Sequence, residues 1–194
     1  MFDFLKPKTE IRPEELGIVF ADTLASIWFK KIAEHVSGYS KFDDVAEITK
    51  SELQTLWRLF LMVHCTVISV GVESTHIDED NKRIVLDAFW NSVADCLREQ
   101  VSEAEAVAFQ KNTAEWYPKL KELMVEPSVR FTTGGLGPGK ALLKLALPHR
   151  DLGENVPFAV RLTVDFVSVY VALTELAVEA VKRSKFKKSL IRHE

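Results

Sequence analysis

Apolar residues recur every three to four positions through most of this chain, and that spacing predicts five long amphipathic helices. The first spans residues 13–37. Pro13 suits a first helical position, Glu14 and Glu15 complement the positive end of the helix, Lys30 and Lys31 fall late, and Gly38 can end it. Its apolar stripe is Leu16, Phe20, Leu24, Ile27, Trp28 and Ile32. After a turn around Asp43 to Ile48, Ser51 and Gln54 form a capping box for a second helix over about 52–72. Leu53, Leu56, Trp57, Phe60, Leu61, Val63, Val67, Ile68 and Val70 leave that helix apolar nearly all round, which marks a central position.

A third helix over about 81–100 turns Val85, Phe89, Val93, Cys96 and Leu97 inward. Ser102 and Glu105 make another capping box, opening a fourth helix to about Met124 with Phe109, Trp116, Leu120 and Leu123 inward and Pro118 kinking or restarting it. Residues 126–157 hold Pro127, Pro138, Pro148 and Pro157, too long a stretch to lack order. Val129 to Thr133 reads as an extended piece; Lys140 to Leu147 reads as a short helix or, from the alternation Ala141, Leu143, Leu145, Leu147, as a strand in a hairpin over the glycines. The last helix, about 157–183, carries two apolar tracks. One is Leu162, Phe166, Val169, Leu173, Leu176 and Ala180; the other is Val160, Val164, Val167, Val171 and Val178. One track can face the core while the other meets a partner chain, or the whole helix can be central.

The pattern defines an all-α, single-domain bundle of about five long helices, with a Gly/Pro-rich ordered loop region between helices four and five. Its domain covers 1–183, with 1–12 as an N-terminal arm and 126–156 as the Gly/Pro-rich insertion; 184–194 is a basic tail. A chain of 194 residues with 47% hydrophobic and 27% charged residues can bury a core without metal or disulfide. Cys65 and Cys96 fall in apolar helical stretches, as packed thiols do, and a reducing cytoplasm suits them. The opening MFDFLKPK lacks the order of charge and the apolar length of an export signal. Leu59–Val72 and Val156–Ala172 are apolar but short of the roughly twenty residues a span requires, so the chain is expected not to be transmembrane. The four tryptophans, Trp28, Trp57, Trp90 and Trp116, fall one to each of the first four helices without a common register, and read as core anchors.

Candidate chemistry is sparse. Gly134, Gly135, Gly137, Gly139 and Lys140 spell GGLGPGK, which fits the phosphate-loop spacing, but Ala141 stands where a magnesium-holding hydroxyl is needed and no parallel sheet supports it. Nucleotide and cofactor binding are therefore not expected. Glu73 and His76 form one E-x-x-H pair, half of what a di-metal bundle uses, and no C-x-x-C or H-x-x-x-H spacing occurs, so no metal site is expected. The string His149 to Asn155, HRDLGEN, echoes a kinase catalytic loop but places Asn one residue early and lacks a following D-F-G. No nucleophile elbow or triad can be assigned.

Charge separates along the chain. Residues 182–194 carry Lys182, Arg183, Lys185, Lys187, Lys188 and Arg192 against one Glu, while the whole chain is −3, so the body is acidic. That tail suits weak contact with an anionic surface; the acidic body argues against nucleic acid. These readings point to a non-enzymatic interaction or assembly protein of the cytoplasm, with a protein partner or a second copy on helix 157–183. The alternative is an enzyme or small-molecule binder with an interhelical pocket lined by Trp57, His64 and Arg161 and lidded by the 134–139 loop, with Gly135, Gly137, Gly139 and Lys140 as further contacts.

Overall fold

At several helix starts in this protein a side chain answers one of the first unpaired amides. The computed structural model describes residues 10–41, 47–125 and 137–186, the side chains at 27, 28 and 125 excepted. Helix α1 (Pro13–Thr23) opens with Pro13 in its first turn, and just ahead of it Arg12 N donates to Glu15 Oε2 at 3.0 Å. The helix expected over 13–37 does not run unbroken. A π-helical turn, Leu24–Trp28, joins α1 to α2 (Phe29–Gly38), and a 3-10 turn, Tyr39–Lys41, follows. Leu16, Phe20 and Leu24 are buried at four-residue steps ahead of the π-turn, and Phe29, Ile32 and Val36 are buried beyond it. The wider turn shifts the helical phase between the two sets.

Thr49, rather than Ser51, caps α3 (Lys50–Glu73): its Oγ1 accepts from Glu52 N at 3.3 Å, and Glu52 Oε2 accepts from Thr49 N at 2.8 Å. Both Thr49–Glu52 and Ser51–Gln54 fit the capping template. The earlier pair prevails because Arg150 Nε donates to Glu52 Oε1 at 2.6 Å and holds that carboxylate in place. Asp78 caps α4 (Glu79–Gln100), accepting from Asn81 N at 2.9 Å, and Ser102 Oγ accepts from Glu105 N at 3.3 Å at the start of α5 (Glu103–Val125). The inward residues expected of these two helices are buried, apart from the half-buried Cys96, and α5 continues through Pro118.

Of the two readings of 140–147 the short helix is the one found, as α6 (Gly137–Ala146), which buries Pro138, Gly139, Leu142, Leu143 and Ala146 with helical spacing. The five-helix description is corrected among the described residues: the π-turn divides the first helix into α1 and α2, and the Gly/Pro-rich region, expected as ordered loop with a short element, carries the ten-residue α6. Val129 to Thr133, Gly134 and Gly135 lie outside the described residues. The final helix is α7 (Val156–Arg183), and beyond it β2 (Lys185–Phe186) pairs in parallel with β1 (Glu10–Ile11). All-α architecture is clear among the described residues, with only this two-residue ladder as sheet.

α1 packs along α4, α3 lies against α7 and α5, and α6 lies on α7. The α1–α4 crossing is close enough that a Cβ on Gly17 would come within 2.3 Å of the Val85 carbonyl oxygen. Among the described residues, buried side chains from each of the seven α-helices join one continuous apolar cluster, with Leu56, Leu59, Leu61, Met62 and Val63 of α3 fully enclosed.

Candidate functional site

The two apolar tracks of α7 meet different fates. Leu162 and Phe166 are fully buried, Leu173 and Ala180 nearly so, and Val169 and Leu176 are half-buried against the core. Of the second track, Val160 is 43% exposed, Val164 58% and Val171 49%, while Val167 and Val178 are half-buried; Val156 extends the exposed strip at 38%. Ser168, Ala172, Glu175 and Glu179 are exposed on the same helix. α3 and α7 are each long and apolar enough to cross a membrane by length and composition, but 78% of that window is buried in α3 against 33% in α7. Of these two helices, α7 is the one that carries unburied apolar surface.

The valine strip borders a cleft of about 720 Å³ between α2 and α7, walled by Pro157, Val160 and Val164 and carrying Glu34, His35, Tyr39, Arg161 and Asp165. His35 Nε2 lies 3.1 Å from Asp165 Oδ2 and 3.2 Å from Tyr39 Oη, and Tyr39 Oη donates to the same carboxylate oxygen. The bond to Asp165 raises the His35 pKa above its ordinary 6.5, outweighing the opposing cost of partial burial. Burial, and then Asp165, push the Tyr39 phenol far up, so Tyr39 donates and does not ionise near neutrality. Behind this cluster is a smaller cleft of about 320 Å³ reaching His64, with His35 and Asp165 shared between the two. His64 is 4% exposed, with Nδ1 2.6 Å from the Phe60 carbonyl oxygen, and burial pushes its pKa down to about 4. It is a neutral, internally bonded histidine at ordinary pH.

The amino end of α7 is tied to the start of α3. Arg150 Nε and Nη2 reach the Glu52 carboxylate at 2.6 and 2.9 Å, Nη2 also donates to the Glu47 carbonyl oxygen at 2.6 Å, and Nη1 donates to Asn155 Oδ1 at 3.2 Å. His149 Nε2 is 2.9 Å from Glu52 Oε1. The Arg150 contact, foremost, holds the Glu52 carboxyl well below the usual carboxylate range. The kinase-like string is thus a clamp between two helix starts.

The residues singled out by sequence do not converge on one pocket. Trp57 faces a separate surface cleft beside Val36 and Glu105, its ring edge-on to Phe29 at 6.1 Å. His64 and Arg161 lie on adjoining clefts that share His35 and Asp165. Gly139 serves a helix crossing: a Cβ there would fall 1.7 Å from the Ala159 carbonyl oxygen, and its N–H donates to Thr163 Oγ1 at 2.9 Å. Ala159 and Thr163 lie on the side of α7 opposite Arg161. Gly137 and Lys140 are exposed on α6, and Gly135 falls outside the described residues. Glu73 Oε1 accepts from Lys121 Nζ at 2.7 Å, and among the described residues no group of three His, Cys, Asp or Glu is placed to hold a metal ion. Lys182 and Arg183 lie 3.7 and 3.4 Å from the Glu179 carboxylate, while Lys185 is in β2 and Lys187 and Lys188 fall outside the described residues.

Sequence reasoning missed the His35–Tyr39–Asp165 cluster. The i, i+4 spacing of His35 and Tyr39 was a signal, but Asp165 joins them only through the packing of α7 beside α2. Comparison with protein family models, curated proteins and solved structures finds no match to this chain.

Proposed function

We propose that this is a non-enzymatic helical assembly protein that docks another helical surface on the outward valine track of α7. The observation that supports this most is the exposure of Val160, Val164 and Val171 on a helix whose other track already fills the core. A continuous apolar strip in water is costly at roughly 25 cal/mol per Å², and a partner that covers it recovers that free energy. Charged residues along the same helix fit a polar rim around an apolar centre.

A photoreactive benzophenone side chain at position 164 or 171, in the full chain in its own cells, tests this reading. It is expected to couple to protein in a discrete adduct. The same probe at position 107, where a valine of α5 is 57% exposed, is expected to give none. Absence of an adduct at 164 and 171, or equal coupling at 107, contradicts the proposal. A second reading, small-molecule binding, is favoured by the His35–Tyr39–Asp165 cluster in its 720 Å³ cleft. On that reading the probe at 164, which borders the cleft, couples to no protein.

A further inference from the structure

Resting on the docking reading, we infer that the occupant of the α7 face is a second copy of the same chain, its α7 running antiparallel about a twofold axis near Ser168. Successive residues of a helix turn by about 100°, so Arg161, Val164, Ser168, Val171 and Glu175 form one seam with three- and four-residue steps. Val164, Ser168, Val171 and Glu175 are exposed, and Arg161 is half-buried at the cleft edge. The seam is charge-complementary to its own reverse. A parallel pairing would set Arg161 against Arg161 and Glu175 against Glu175 of the other copy. The antiparallel pairing instead sets Arg161 against Glu175 of the other copy, twice over, and opposes the two helix dipoles favourably.

The centre of the seam also suits close approach. Ser168 is small, and its hydroxyl already donates to the Val164 carbonyl oxygen at 2.9 Å, so burying it at a crossing leaves no orphaned donor. Around that centre Val164 meets Val171 and Ala172 of the other copy. A lipid surface is the poorer occupant, because Glu175 and Glu179 on α7 would repel anionic headgroups. One helix pair buries less than the roughly 800 Å² per partner of a standard interface, so the association is weak, with a dissociation constant on the order of 10 μM.

Sedimentation equilibrium of the full chain reads the register through charge reversal. Arg161→Glu alone and Glu175→Arg alone each place like charges together in both symmetric positions, and each is expected to weaken self-association about tenfold or more. An equimolar mixture of the two is expected to regain association within about threefold of wild type, since each variant supplies the charge that the other now needs. Arg161 also borders Tyr39 in its own chain, so the solvent-facing Glu175→Arg variant must weaken association by itself. A mixture no tighter than its components overturns the antiparallel pairing. A wild type that remains monomeric at several hundred micromolar overturns the second copy. In that last case a discrete adduct of some other mass at position 164 leaves the docking reading intact, whereas no adduct removes both.

Discussion

His35 and His64 line the same small cleft, yet pH acts on their contributions to stability in opposite directions. Asp165 raises the His35 pKa above 6.5, so that pairing stabilises the fold fully below pH 6.5 and is lost as pH rises through the raised value. Burial lowers the His64 pKa to about 4 from 6.5, so its contribution is complete above pH 6.5 and is lost as pH falls toward 4, on the order of 3 kcal/mol in all. Glu52, held low by Arg150, adds a separate loss as pH falls below its unfolded value of 4.5. Urea unfolding across this range is expected to show that His64→Leu flattens the fall between pH 6.5 and 4 relative to wild type, and that His35→Gln flattens the decline above 6.5. Parallel pH profiles for wild type and both variants would contradict these assignments.

Within α7, burial divides residues two positions apart into two classes. Leu162 and Phe166 are enclosed, so Leu162→Ala or Phe166→Ala is expected to cost about 2–5 kcal/mol through lost burial and the cavity left behind. Val164→Ala and Val171→Ala remove groups that face water in the single chain, and each is expected to change its stability by no more than about 0.5 kcal/mol. Denaturant titrations at low protein concentration compare the four; equal costs on both tracks would contradict the division. Much of this was legible from periodicity alone, since each α7 track lies on its own side of a helical wheel. Less legible was the π-turn at Leu24–Trp28, because apolar spacing of three and four residues fits an unbroken helix there as well. Nor could α6 be separated from a strand: Ala141, Leu143, Leu145 and Leu147 alternate, and the helix is decided by Gly139 fitting against α7, a tertiary contact.

Among the described residues of the whole molecule, seven α-helices share one core while α7 keeps apolar surface outside it. The candidate cluster was hidden from the sequence for a topological reason: His35 and Asp165 meet only once α2 and α7 lie side by side. By contrast, the two tracks on the last helix could be read from periodicity, which left open whether the second met a partner or the whole helix was central. On the proposed reading, the exposed valines of this track serve assembly and not the fold of the single chain. Sedimentation equilibrium of wild type beside a Val164→Glu, Val171→Glu double variant, with circular dichroism and a thermal melt of each, tests it most directly. Wild type is expected to form a reversible, concentration-dependent dimer, and the variant a fully folded monomer with an essentially unchanged melt. A variant that unfolds, or one that sediments identically to wild type, would contradict it.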